Sequence, residues 1–207
     1  LAKVVKDFAL GKPFYNNIDQ IIELDKKYGF TSIFYWLPMR GKDANGIMNA
    51  DYGIAKLVKM CAKTEANGCV NGIHKSSFPT TFSEEMSKFP SEVAHNRYHF
   101  LKFETHKVWK EIESAGLKTD GSLGFAEHIG FRNSYGLPFV PYDMENDRPY
   151  TFLEIPLHVM DGTLTQYMGL ESEQAFIRIK KFLKQNEHNS ILSILWHNNE
   201  FTEYTHK

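Results

Sequence analysis

The stretch that decides the fold is 31-TSIFYWLPMRGKDANGIMNADYGIAKLVKMCAKTEANGCVNGIH-74. Its first segment, 31–37, is rich in β-branched and aromatic residues, and this composition predicts a buried strand. The segment 51–67 carries apolar residues at helical spacing and predicts a helix, and the segment 69–74 predicts a second strand. A strand, a helix and a strand in succession are typical of a parallel β/α unit. We therefore expect an α/β fold whose functional residues gather where the strands end.

The same alternation continues on both sides of this stretch. Three further helices are predicted, over 15–28, 105–115 and 171–184. Three further strands are predicted, over 119–125, 150–156 and 190–196. A fifth helix is expected to begin with Ser83 as its N-cap and to run to about Tyr98. Residues 130–149 are rich in Gly, Pro, Asn and Asp and predict a long loop, whereas residues 1–12 carry no pattern that predicts an element.

Length and composition bound the class of protein. The 207 residues fit one domain spanning 1–207, and because the chain begins with Leu1 rather than Met, we expect it to be a fragment of a longer protein. The formal net charge of −1 gives no electrostatic reason to expect a nucleic acid partner. No apolar run reaches the ~20 residues that span a bilayer, and no signal peptide is visible. Cys61 and Cys69 are interpreted as buried, reduced thiols, and the compartment and oligomeric state stay open.

Two predicted strands end on a histidine. His74 closes the strand 69–74, and His197 directly follows the strand 190–196. In one parallel sheet both imidazoles would reach the same edge, where imidazole serves as a metal ligand or as a general acid or base. A single histidine at a strand end is more often structural. With two of them, each followed by a polar loop, a functional and a structural interpretation are about equally supported. The pair is the leading candidate for a site.

Six short motifs follow one another along the chain: Gly72-Ile-His74-Lys-Ser-Ser, Asn96-Arg97-Tyr98-His99-Phe100-Leu101-Lys102-Phe103, Thr119-Asp120-Gly-Ser-Leu-Gly-Phe125, Gly130-Phe-Arg132, Glu154-Ile-Pro156-Leu157 and Leu195-Trp-His197-Asn198. Their order resembles the polysaccharide deacetylase-like family, which is carbohydrate esterase family four and carries the nodulation-factor deacetylase homology domain. The resemblance spans roughly residues 15–200, and the bacterial branch of that family is the more similar one. Each motif alone is weakly specific, whereas their order and spacing together are fairly specific.

This resemblance implies a fold and an activity. The family adopts a distorted β/α barrel and removes acetyl groups from N-acetylated sugars by metal-assisted hydrolysis, often with zinc. By resemblance, His74 is expected to bind the metal, Arg97 to orient a catalytic aspartate, and His197 to protonate the leaving amine. The expected partner is an N-acetylated glycan or oligosaccharide, and the expected cofactor is a divalent metal, with zinc as the first choice.

The sequence departs from the family pattern in both metal-binding motifs. Phe78 stands where the second motif carries its second histidine, and no aspartate pair closes a strand before His74. We therefore expect a barrel that lacks its first strand, which would lie upstream of Leu1. Because catalytic zinc requires about three protein ligands, His99 is a candidate substitute ligand, with a hydrogen-bonded structural role as the favoured alternative.

Three more polar residues in these motifs have two interpretations each. Asp120 is expected either to hydrogen-bond the substrate or Arg97, as a member of the catalytic set, or to cap a turn. Arg132 either contacts a sugar or holds the long loop through salt bridges. Glu154 is expected to pair with an arginine in the core rather than to act in catalysis.

The motifs leave three functions open. The leading hypothesis is a metal-dependent hydrolase that cleaves the amide bonds of N-acetylated carbohydrate. The alternative is a catalytically degenerate barrel that binds glycan or supports a neighbouring domain, because the second histidine is missing. Hydrolysis of a non-sugar amide is the third, since a fold does not determine its substrate.

Overall fold

The computed structural model describes residues 17–101 and 104–201, so the segment 1–12, for which the sequence predicts no element, lies outside the described part. Five α-helices are found there: α1 (Ile18–Tyr28), α2 (Ile54–Glu65), α3 (Phe82–Met86), α4 (Thr105–Ser114) and α5 (Ser172–Gln185). Nine strands accompany them: β1 (Ile33–Trp36), β2 (Val70–Lys75), β3 (His95–Tyr98), β4 (Thr119–Asp120), β5 (Tyr142–Asp143), β6 (Arg148–Pro149), β7 (Leu153–Glu154), β8 (Leu157–Met160) and β9 (Ser193–Leu195). Three further helical turns lie at His99–Leu101, Thr163–Tyr167 and Asn198–Phe201.

Parallel pairing organises the sheet. The strands β1, β2, β3, β4 and β7 form a five-stranded sheet in that order, and each neighbouring pair is parallel. The strands β8 and β9 form a second parallel pair, and a bridge between Gly124 and Leu157 connects the chain after β4 to β8. Every pairing among these seven strands is parallel, which confirms the predicted α/β class with parallel strands.

Helices pack on one face of this sheet. Ile73 of β2 and Tyr98 of β3 pack with α3 and α4 in a first core, which is completed by Phe82, Val93, Val108, Ile112, Leu117, Tyr150 and Phe152. Trp36 of β1 packs with α1 and α2 in a second core, which is completed by Ile18, Ile22, Leu57, Met60, Cys61 and Cys69. Both cysteines are free and buried, as predicted. Removal of these apolar side chains from water is the main contribution that holds the helices on this face.

The opposite face, called the inner face below, carries Tyr35, His74 and Arg97. The register pairs His74 with Arg97, so both side chains lie on the same side of the sheet. Side chains alternate along a strand, and Asn96 therefore points to the helix-covered face. The register pairs Asn96 with Asp120, which places the Asp120 side chain on the helix-covered face as well. The sheet thus separates two groups of polar residues.

The array of parallel strands is strongly curved. Arg97 of β3 reaches across the inner face to β9, where Nη2 donates to Ser193 Oγ at 3.2 Å, and its guanidinium lies over the Tyr35 ring of β1 at 4.7 Å from the centroid. Asn17, just before α1, donates from Nδ2 to the carbonyl oxygen of Asn198, just after β9, at 2.7 Å. Within the described ranges no strand pairing joins β9 to β1. The expected barrel is therefore seen as an open, curved parallel sheet, not a closed one.

One predicted helix is wrong in its extent. The helix expected from Ser83 to Tyr98 ends at Met86, and its N-cap is Thr81. Pro90 has no amide hydrogen and cannot continue a helix. The residues after it form β3, which pairs with β2 and β4 in the centre of the sheet.

The second half of the chain also differs from the prediction. The loop predicted over 130–149 contains the antiparallel hairpin of β5 and β6. The strand predicted over 150–156 is reduced to β7, and β8, which the sequence pattern does not predict, follows directly after Pro156. Proline cannot donate to a strand ladder and interrupts the pairing here. As for membranes, none of the helices in the part that the structure describes combines the length and the apolar composition needed to cross a bilayer.

Candidate active site

His197 and Asp161 form a close pair at the ends of β8 and β9. Asp161 Oδ1 accepts a hydrogen bond from His197 Nδ1 at 2.7 Å, and Asp161 Oδ2 accepts one from the His197 backbone amide at 2.7 Å. Asp161 is only 1% exposed, whereas the His197 side chain is 51% exposed. The hydrogen bond to Asp161 raises the pKa of His197 above its ordinary value. His197 Nε2 is therefore left to exchange a proton with a bound molecule, as a general acid requires.

His74, near the end of β2, is held as a neutral imidazole. Its Nδ1 donates to the Arg97 carbonyl oxygen at 2.7 Å, so Nε2 keeps its lone pair. Burial, together with the nearby His99, Arg97 and His197, lowers the pKa of His74 to about 3. A neutral imidazole whose Nδ1 donates to an oxygen is the form that histidine takes as a metal ligand.

His99 lies against His74, with the two ring centroids 5.0 Å apart. Its Nδ1 donates to Asn49 Oδ1 at 3.3 Å, and the Ser77 amide donates to the same oxygen at 3.0 Å, which fixes the orientation of Asn49. The next residue, Phe100, has a φ of 62°, a left-handed conformation that non-glycine residues rarely adopt. Backbone strain of this kind clusters at functional sites.

These two imidazoles are the metal ligands that the sequence predicts, and the structure brings them together. A catalytic zinc site requires about three protein ligands. No group of three His, Cys, Asp or Glu side chains able to hold a metal is present within 17–101 and 104–201. His74 and His99 would supply two ligands at most, so the described residues alone do not fit a catalytic metal.

Arg97 lies beside the imidazoles on the inner face and is 6% exposed. Its Nε donates to the Gly121 carbonyl oxygen at 2.9 Å. Glycine suits this position because a Cβ at residue 121 would lie 3.0 Å from Arg97 Nη2. The charge of Arg97 contributes to the low pKa of His74 and opposes the rise in the pKa of His197. His74, His99, Arg97 and His197 thus form one electrostatic cluster, called the basic cluster below.

Asp120, predicted as a member of the catalytic set, lies outside the basic cluster. It is fully buried, its Oδ1 accepts from Asn96 Nδ2 at 2.6 Å and from Ser122 Oγ at 2.9 Å, and its Oδ2 accepts from the Ser122 amide at 3.1 Å. In the described part no hydrogen bond joins Asp120 to Arg97. These contacts correspond to the turn-capping alternative, and the helix-covered face gives Asp120 no access to a molecule on the inner face. Its neighbour is Glu154, which pairs with Asp120 rather than with an arginine.

Asp161 is a site residue that the sequence pattern does not predict. An acidic residue directly after a strand is the signal that could have revealed it, but β8 itself is not predicted. Arg132, by contrast, matches the loop-holding alternative, since its Nη1 donates to the Gly124 carbonyl oxygen at 2.9 Å. That contact is a hydrogen bond to backbone and not the expected salt bridge.

Comparisons with known proteins concern the fold. No family model matches the chain, and no curated protein matches it. Among solved structures, the chain is similar to a protein from Bordetella bronchiseptica that is proposed to be a polysaccharide deacetylase involved in O-antigen biosynthesis, with a TM-score of 0.50 and 10% sequence identity. The match covers 87% of this chain and 65% of the other, so the chain spans less than two thirds of that protein. At this identity the similarity is one of fold alone.

Proposed function

We propose that this chain is a deacetylase-like hydrolase that cleaves the acetamido group of an N-acetylated carbohydrate. The observation that carries the proposal is the hydrogen-bonded pair of His197 and Asp161 beside Arg97, at the ends of parallel strands. The similarity in fold to a protein that is itself proposed to be a polysaccharide deacetylase supports the class of reaction.

The chemistry of amide hydrolysis defines the task of each group. Water adds to the carbonyl carbon, the carbon–nitrogen bond breaks, and the nitrogen must take up a proton because a free amide anion is a very poor leaving group. His197, whose protonated form is stabilised by the hydrogen bond to the buried Asp161, is the donor of that proton. Arg97 supplies positive charge beside it. The base that accepts the proton of water is not assigned among the described residues, and an aspartate oriented by Arg97, as the family resemblance implies, would take that place.

The proposed metal ligands are His74 and His99, with at least one further ligand from outside the described residues. Both Nδ1 atoms donate to oxygen, which supports ligation through Nε2. Elemental analysis of the full chain after incubation with zinc, with His74→Ala alongside, tests this. About one metal per chain, lost in the variant, is expected. No metal in either protein would reject the zinc proposal.

The activity is tested by acetate release from a panel of N-acetylated sugar oligomers and small amides, with and without added divalent metal. We expect release from a sugar oligomer, and a fall in kcat of about 10²- to 10⁴-fold for His197→Gln, because the general acid is lost. His188→Gln is the matched control, since the His188 side chain is 83% exposed and outside the basic cluster. Its kcat should stay at the wild-type value.

Two results would contradict the proposal. One is the absence of acetate release from every sugar in the panel, and the other is a His197→Gln variant as active as the wild type. Acetate release from small amides alone would show that the substrate is a non-sugar amide.

A second function is favoured by one observation, namely that no group of three His, Cys, Asp or Glu side chains in the described ranges could hold a metal. In that case the chain is a degenerate barrel that binds glycan without cleaving it. Glycan binding without acetate release, in a protein that takes up no metal, is the result that distinguishes it.

A further inference from the structure

Phe100 holds a backbone conformation that large side chains disfavour. Its φ of 62° and ψ of 14° lie in the left-handed region, and Leu101 follows with a φ of 50°. The other non-glycine residues of the described part with a positive φ, Ser134 and Asp147, are short and polar. Because this region is unfavourable for large L side chains, the conformation persists only where the surroundings enforce it, and such strain clusters at functional sites. The conformation of Phe100 therefore needs an explanation.

Burial of the ring does not supply that explanation. Phe100 is 61% exposed, so removal of its surface from water offsets little of the backbone strain. Two residues earlier, Tyr98 is 9% exposed and packs in the first core. The segment after Tyr98 thus leaves the core and carries an aromatic ring into solvent, where the ring is available to a bound molecule.

The left-handed backbone places this ring beside the basic cluster. Along an extended strand, successive side chains point to opposite faces of the sheet, so an extended Phe100 would point away from the face that carries His99. Instead, the ring centroids of Phe100 and His99 lie 4.1 Å apart, and His99 in turn lies 5.0 Å from His74. The exposed ring therefore borders the imidazoles of the candidate site.

We propose that Phe100 is a binding platform on which a sugar ring of the substrate stacks. A pyranose ring presents a face of C–H groups that packs on a flat aromatic ring, while its hydroxyl and acetamido groups project from the rim toward polar partners. Stacking on Phe100 leaves the acetamido group free to reach the basic cluster. This inference rests on the proposed function, because it requires a sugar substrate, but binding of the sugar does not require turnover.

The test compares binding and turnover in the full chain. Calorimetry with the trimer of N-acetylglucosamine measures binding, and acetate release from the same trimer measures kcat and KM. Phe100→Asn removes the ring, and asparagine tolerates the left-handed region. We expect the dissociation constant and KM to rise about tenfold or more while kcat stays within about twofold, because a stacked ring is held equally in the ground state and the transition state. Phe100→Tyr keeps the ring and should bind within about threefold of the wild type.

Thermal unfolding distinguishes a binding role from a structural one. Since asparagine relieves the backbone strain and little buried surface is lost, the midpoint of Phe100→Asn should be no lower than that of the wild type. A midpoint lower by more than about 4 °C would show that the ring stabilises the fold, and it would overturn the proposal. The matched control is Phe176→Asn, which removes a ring that is 64% exposed on α5 and should leave binding of the trimer unchanged.

The outcomes separate this inference from the function on which it rests. Binding of the trimer by Phe100→Asn as tight as in the wild type would overturn the platform, and acetate release with an unchanged KM in that variant would leave the deacetylase function in place. Binding that is lost in Phe100→Asn, without acetate release from any sugar, would retain the platform and contradict the deacetylase function. A wild type that binds neither this trimer nor another oligomer of the panel would reject the platform.

Discussion

The charge on His197 depends on one buried carboxylate. Asp161→Asn keeps a hydrogen-bond acceptor beside Nδ1 but removes the negative charge, so the pKa of His197 should fall toward its ordinary value. A raised pKa in the folded state means that folding favours the protonated form. The stability that this pair contributes is therefore present below the unfolded pKa of about 6.5 and is lost as pH rises through the folded pKa.

Imidazole signals followed by NMR across a pH titration measure the pKa directly. Urea unfolding should show a larger difference in the free energy of unfolding between wild type and Asp161→Asn at about pH 5.5 than at about pH 8.5. A His197 pKa that is the same in both proteins would contradict this reading of the pair.

Glu85 is the residue on which the loop after β2 depends. It is fully buried, and its carboxylate accepts from Lys75 Nζ at 2.7 Å, from the Ser76 amide at 3.1 Å and from Thr80 Oγ1 at 2.6 Å. Glu85→Gln would leave Lys75 charged and unpaired, and we expect a loss of about 3–5 kcal/mol in the free energy of unfolding. Chemical denaturation measures this, with the exposed Glu92→Gln as a control that should change little. A loss below about 1 kcal/mol would mean that another group stabilises the charge of Lys75 when Glu85 is replaced.

At the scale of elements, the contact between β1, β2 and β3 depends on the absence of a side chain at residue 72. A Cβ on Gly72 would lie 2.8 Å from the Tyr35 ring and 2.9 Å from the His95 carbonyl oxygen. Neither the ring nor the backbone carbonyl can move away easily, so Gly72→Ala should destabilise the protein by about 1–3 kcal/mol. Gly162→Ala is the control, because its Cβ would meet no atom closer than 3.7 Å. Thermal unfolding of both variants measures the difference, and equal midpoints would refute the proposed clash.

The strands β4 and β7 carry a buried acid pair, Asp120 and Glu154. Burial and the neighbouring Asp120 charge raise the pKa of Glu154 well above its ordinary value. Leu123 donates its amide to Glu154 Oε1 at 3.1 Å, whereas Oε2 is buried and has no hydrogen-bond partner among the described residues. The raised pKa means that folding favours the form of Glu154 that carries the proton. The stability that this proton provides is complete below the unfolded pKa of about 4.5 and is lost as pH rises through the folded pKa.

Glu154→Gln retains an uncharged donor at the same position. We therefore expect Glu154→Gln and the wild type to have about the same free energy of unfolding at acidic pH. As the pH rises, the free energy of unfolding of the variant should become the larger of the two. Urea unfolding over a pH series measures this. If the variant has the lower free energy of unfolding at alkaline pH, Glu154 is ionised in the folded protein.

The elements that the sequence predicts well are those whose apolar pattern is uninterrupted. The helix α1 ends at Gly29, which adopts a φ of 71°, and β1 lies inside the predicted segment. The strand β3 has no such pattern, because Asn96 and Arg97 are both polar and both buried by contacts with other strands. Tertiary partners, which a local pattern does not contain, decide its structure.

The same limit applies to the candidate site. His74, His99, Arg97 and His197 are predicted from strand ends and from family resemblance, and the structure brings them into one cluster. Asp161 is not predicted, because the strand that precedes it begins after a proline and includes His158 in its short apolar run. The role of Asp120 is not predicted uniquely, since only the register of β3 and β4 shows which face it occupies.

At the scale of the whole molecule, the alternation of strands and helices is sufficient to predict a parallel α/β fold. The closure of the sheet is not predictable in this way, because it depends on how the first and last strands meet. The structure shows that the curvature brings β1, β3 and β9 together around Arg97. One side chain therefore contacts elements that are far apart in the sequence.

The hydrogen bond between Asn17 and Asn198 places the start of α1 beside the turn after β9, so the order of the described elements could be changed without changing their fold. A circular permutant, in which residues 17 and 201 are joined by a short flexible linker and new ends are opened between Met144 and Glu145, should keep the contacts among the described residues. Met144 is 84% exposed at the tip of the β5–β6 hairpin, where a cut disturbs little. We expect its circular dichroism spectrum to match that of the wild type. An unfolded permutant would show that continuity through the hairpin is needed for folding.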